Sequence, residues 1–166
     1  MRLFRSALAM GVAIFMTGCS DSSDGPSAAQ TEETVAKEAR NAVALSMQAV
    51  GGSGAKADAR WFSCVQGMAW KYDGGGTFRA PEGNEAAQLE AIRTALTRAG
   101  YTDTTKVDRK VVVGRGDFSF VIYLRLRSAK YEPHWAFSFS SPCKGYPSAD
   151  RKRIDSAARP RDTVLP

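Results

Sequence analysis

The sequence predicts an α+β domain, a two-layer sandwich in which helices pack on one face of a four-stranded antiparallel sheet closed by one disulfide. Three observations predict it. Residues 84–99 carry Ala86, Leu89, Ile92, Leu96 and Ala99 in steps of three and four, the spacing of a single apolar helix stripe. Residues 118–127 and 134–140 alternate apolar and polar side chains with a period of two, as half-buried antiparallel strands do. Two cysteines, Cys64 and Cys143, remain to be paired once the N-terminal segment is accounted for.

That segment reads as a signal. Arg2 and Arg5 precede an uncharged, mostly apolar run over 6–16, shorter than the roughly 20 residues a transmembrane helix needs. The run ends in Met16-Thr17-Gly18-Cys19, which resembles the lipobox of bacterial lipoproteins, with Met16 where Leu is usual. The resemblance implies removal of residues 1–18 and acylation of Cys19. A plain secretory signal, or a core segment with a chance cysteine, is the alternative. The polar stretch after it, residues 19–26, has the composition of a flexible tether. Two or three acyl chains hold a protein on a membrane durably where one does not. The expected location is the outer face of the cell membrane or, in a diderm cell, the outer membrane.

Residues 27–50 place Val35, Ala39, Ala42, Val43 and Ser46 at helical spacing. Ser27 with Gln30 forms a capping box, and Gly51-Gly52-Ser53-Gly54 ends the helix. This helix either packs on the domain or serves as a spacer above the membrane. Residues 51–59 read as a Gly-rich hinge, and the α+β domain as residues 60–145. Its first strand is expected over 61–72, with Phe62, Cys64, Met68 and Trp70 on one face. Asp73-Gly74-Gly75-Gly76 then reads as a flexible loop, since it lacks the spacing of a phosphate-binding turn. The helix over 84–99 stops at Gly100, and strands over 107–113, 118–127 and 134–140 complete a meander. The sheet order expected from this is 2-3-4-1.

With Cys19 consumed by lipid, an exported chain with two cysteines left has one intramolecular pairing available, Cys64–Cys143. Closing a loop of about 80 residues is worth roughly 4–5 kcal/mol. A redox pair or metal site would call for CxxC spacing or nearby histidines, and neither occurs.

The assembled pattern resembles small actinobacterial envelope lipoproteins of the LppA-like type. The matching parts are Cys19, the aromatic strand bearing Cys64, the helix ending in Gly100-Tyr101, and Ser141-Pro142-Cys143 after the last strand. The likeness covers residues 60–145 and the signal. It implies a disulfide-pinned α+β domain on a lipid anchor, with no catalytic residue to carry over.

The chain has 166 residues with 23 Lys plus Arg against 17 Asp plus Glu, a net charge of +6. Without Arg2 and Arg5 the remainder is +4, divided into an acidic 19–59 (3 basic, 6 acidic), a basic 60–143 (12 and 8) and a basic 144–166 (6 and 3). Residues 146–166 read as a basic tail, with Arg151, Lys152 and Arg153 as candidate contacts to an anionic surface. Nucleic acid is not expected as a partner, because an exported protein does not meet it. His134, the single histidine, falls on the less buried side of its strand. Arg115-Gly116-Asp117 spells an adhesion tripeptide but is ordinary turn chemistry.

No cofactor or metal is expected. The function expected is a non-enzymatic binding or assembly role in the cell envelope, through the exposed sheet face and loops, toward an envelope protein or an acidic wall polymer. The alternatives are a small hydrolase or carbohydrate-active enzyme with a carboxylate pair, and a small-ligand carrier.

Overall fold

The computed structural model describes residues 25–125, 133–155 and 162–165. Cys19, the signal, most of the tether, Arg127, Arg159 and Arg161 lie outside the described residues.

Helix α1 (Ala28–Val50) begins as its sequence dictates. The Ser27 hydroxyl accepts from the Gln30 backbone N–H, and the Gln30 side chain accepts from the Ser27 N–H. It ends at Gly51, whose φ of 66° suits a residue without Cβ. Val35, Ala39, Ala42, Val43, Ser46 and Val50 are buried along one stripe, so this helix packs on the domain. Helix α2 (Glu85–Arg98) is capped by Asn84 and buries Leu89, Ile92 and Leu96. At its end Gly100 donates to the Thr97 carbonyl and Tyr101 to that of Leu96, the paired bonds of a Schellman turn. A short α3 (Ser148–Ile154) follows the sheet's main strands.

Seven strands form one antiparallel sheet among the described residues, not the four expected. They are β1 (Ser53–Val65), β2 (Ala69–Arg79), β3 (Thr102–Asp103), β4 (Val111–Arg115), β5 (Phe118–Arg125), β6 (His134–Ser140) and β7 (Asp162–Leu165), in the order β3-β4-β5-β6-β2-β1-β7. The expected first strand is two strands joined at 66–68, because Gly67 takes φ 69° and turns the chain. In consequence Phe62 and Trp70 lie on opposite faces. The expected hinge is from Ser53 onward the first half of β1. There Ala57, Ala59 and Trp61 face the core while Lys56, Asp58 and Arg60 face away.

The glycine run is likewise strand, inside β2. A Cβ on Gly74 would stand 2.6 Å from the Phe139 ring and 2.4 Å from the Asp58 carbonyl; one on Gly76 would stand 1.9 Å from the Lys56 carbonyl and 2.8 Å from the Phe137 ring. Glycine is needed because two phenylalanines of β6 lie across the strand. The expected tail is also corrected, since residues 146–155 dock through Tyr146 and Ile154, and Val164 of β7 is buried against the sheet. The helices and sheet enclose Phe78, Phe120, Ile122, Trp135, Phe137 and Phe139.

The disulfide joins Cys64 to Cys143 with a Cα separation of 6.2 Å. It forms by a different route from direct pairing of the two cysteine-bearing segments. Strand β2 lies between them, and the chain after β6 pairs with it at Trp70↔Lys144, which carries Cys143 alongside Cys64.

Candidate functional site

Alternation along the strands gives the sheet two unlike faces. The inner face carries the core aromatics under the helices. The outer one carries Lys56, Asp58, Arg60 and Phe62 of β1, Lys71, Asp73, Gly75 and Thr77 of β2, and the even-numbered side chains of β6 from His134 to Ser140. On β5 it presents Ser119, Val121, Tyr123 and Arg125. None of these large side chains is sealed: Tyr123 is 37% exposed, and Phe62, Val121 and His134 are half-buried.

The register aligns them in rows. One runs Arg60, Asp73, Ser140, Ser119, Gly114; the next runs Asp58, Gly75, Ser138, Val121, Val112. Small side chains in the middle of both rows make a shallow trough. At its β1 flank the Arg60 guanidinium lies 4.4 Å from the Phe62 ring centre, with Lys71 5.9 Å from the same ring. Lys71 also pairs with Asp73 at 2.9 Å. The depression bounded by Asp58, Arg60, Phe62, Asp73 and Gly75 is open, with a volume of about 230 Å³. That is less than the enclosed space a drug-sized ligand ordinarily occupies. Among the described residues five bases, Lys56, Arg60, Lys71, Arg79 and Arg125, stand on this face against two acids, Asp58 and Asp73. Chemically, the face offers cations, hydroxyls and two aromatic rings to an extended, anionic or hydroxyl-rich partner.

Elsewhere two of the residues singled out by sequence, Arg115 and Arg153, are engaged. Arg115 places its guanidinium 3.8 Å from the Tyr101 ring, pairs with Glu38 at 3.3 Å and donates to the Ala99 carbonyl. Its side chain is therefore held away from an adhesion role, and Gly116, at φ 53°, simply turns the β4–β5 hairpin. Tyr101 donates to Glu38 at 2.7 Å, and burial followed by this hydrogen bond pushes its pKa well above the usual tyrosine value. Of the three candidate anionic contacts on α3, Arg153 pairs with Glu32 at 2.7 Å, whereas Arg151 and Lys152 are exposed and make no ion pair among the described residues.

Sequence reasoning missed Lys56, Asp58 and the role of the glycine run. A signal for the first two was present: residues 55–61 alternate strictly, but alanines in the core positions made them look like linker. No cluster of His, Cys, Asp and Glu suited to a metal occurs among the described residues, and no described helix is long and apolar enough to cross a membrane. No family model, no curated protein and no solved structure matches the chain.

Proposed function

We propose that this chain is a lipid-anchored envelope lipoprotein of the LppA-like type, held by acylated Cys19, whose outer sheet face binds an acidic polymer of the cell wall. The observation that carries the reading is that face: open, shallow, net basic and bearing Phe62 and Tyr123 at its edges. A flat array of this kind suits a long partner that supplies many weak contacts. The Met16-Thr17-Gly18-Cys19 tetrad supports the anchor. The test is retention of the purified protein on an anionic wall polymer at rising salt. Charge reversal by Arg60→Glu with Arg125→Glu should abolish retention while thermal stability is kept. Retention unchanged by both substitutions would sink the polymer reading.

One observation favours a second reading. Asp58 and Asp73 lie on adjacent strands two register positions apart, as Asp58 pairs with Gly75. Diagonal positions of this kind stand roughly 7–8 Å apart at the backbone, which allows their carboxyl groups to take the separation of about 6.5–9.5 Å that inverting glycosidases use. Hydrolysis of a wall glycan that is lost in both Asp58→Asn and Asp73→Asn would establish the enzyme reading over the binding one.

A further inference from the structure

Four large apolar side chains are well exposed among the described residues: Val65, Met68, Val107 and Tyr123. Val65, at 53%, and Met68, at 70%, stand together on the turn between β1 and β2. This turn is braced. Cys64 beside it is bonded to Cys143, Trp70 exchanges both backbone hydrogen bonds with Lys144, and a Cβ on Gly145 would lie 3.6 Å from the Met68 carbonyl. An apolar tip held this firmly has no core of its own to fill.

The same end of the molecule holds the start of α1. Ala28 is fully buried with Trp70, Tyr146 and Ile154, and its N–H donates to Asp150 at 3.1 Å. The chain therefore leaves the domain toward Cys19 beside the apolar tip. Eight peptide steps separate Cys19 from Ser27, which reach at most about 28 Å when fully extended. An anchored Cys19 keeps this end within about 28 Å of the leaflet.

At this end Asp150 accepts from the Ala28 N–H and Asp155 from the Trp70 indole, both at 3.1 Å, and Glu32 accepts from Trp61 and Arg153, while Glu33 and Asp117 are exposed acids at its margin. Lys144 is half-buried over the Tyr146 ring, and Arg151 and Lys152 stand exposed. Apolar side chains beside outward bases are the composition of a surface that settles into the headgroup region of an anionic leaflet.

We propose that the β1–β2 tip, with Val65 and Met68 in the lipid interface and Lys144, Arg151 and Lys152 on anionic headgroups, is a membrane-docking surface. It rests on the anchored reading above. Docking at this end stands the strands roughly upright and keeps the outer sheet face clear of the lipid.

The test places a benzophenone-bearing phenylalanine at position 68, or at the control position 107, in the full chain produced in a bacterium. Val107 precedes β4 at the opposite end of the strands and is similarly exposed, at 51%. The recovered protein is reconstituted in phosphatidylcholine vesicles with or without phosphatidylglycerol, and irradiated. The mass of the Cys19 peptide reports the anchor separately from the contact. Lipid adducts at position 68 should exceed those at 107 at least fivefold in the anionic vesicles. Arg151→Glu with Lys152→Glu should lower them by about 25-fold or more, from roughly fivefold per base lost. An acylated Cys19 with equal adducts at 68 and 107, or with adducts indifferent to anionic lipid and to the charge reversal, overturns the docking surface alone. A Cys19 without lipid overturns the anchored reading and the docking that rests on it. Intact disulfide and unchanged melting temperature in each variant exclude misfolding as the cause.

Discussion

Replacing Cys64 and Cys143 together by serine removes a bond between residues 79 apart in sequence. Both positions are exposed, so serine leaves no cavity in the core, and the Trp70–Lys144 backbone pair stays in place. The cost therefore falls on the unfolded chain, which regains the entropy of an open loop. For a loop of this length that entropy is about 15 cal/mol/K, or about 4.5 kcal/mol at 25 °C. A domain of roughly 130 ordered residues unfolds with an entropy near 0.27 kcal/mol/K, so the melting temperature should fall by about 15 °C. Thermal unfolding followed by far-ultraviolet circular dichroism, on wild type of confirmed oxidation state and on the double variant, measures it. A fall of less than about 5 °C refutes the reasoning, because the ends of the loop would then already be close in the unfolded chain.

Three further outcomes are expected. Gly76→Ala forces a methyl group against the Lys56 carbonyl and the Phe137 ring and should destabilise the domain by about 2–3 kcal/mol in urea, whereas the exposed Thr77→Ala should change little. Asp155→Ala leaves the Trp70 indole N–H, in a side chain buried to 3% exposure, without its acceptor; about 1 kcal/mol of stability should be lost, with faster proteolysis of residues 146–155. Tyr101 holds its proton in the folded state above the pH at which the unfolded chain releases it, through burial and its bond to Glu38. Its contribution is thus complete below about pH 10 and is lost as pH rises from there toward the folded pKa. Melting temperatures between pH 8 and 11.5 should show that decline, and it should shrink in Tyr101→Phe.

The outer face was half legible before the structure. Clean alternation over 118–127 and around His134 placed Ser119, Tyr123, Arg125 and Ser138 on one side of two strands, as their register bears out. The β1 and β2 contribution was hidden, since Ala57 and Ala59 are too small to announce a strand and Gly74–Gly76 imitate a loop. Arg153 was grouped with Arg151 and Lys152 by sequence, and only its pairing with Glu32, 121 positions away, separates it from them.

What the sequence by itself determined is local. Both helix starts, the Gly51 and Gly100 stops, the antiparallel α+β class and the Cys64–Cys143 pairing follow from residues within a turn of one another or from counting cysteines. Strand number, the burial of the glycine run and the docking of residues 146–155 were decided by the tertiary structure. Each depends on a partner far along the chain: Phe137 and Phe139 over Gly76 and Gly74, Trp70 between Lys144 and Asp155, Val164 against β1. Side-chain periodicity reports only which face of an element is apolar. Which neighbour covers that face, and how closely, is fixed by packing at distances of a few ångströms between segments that are 60 to 120 residues apart.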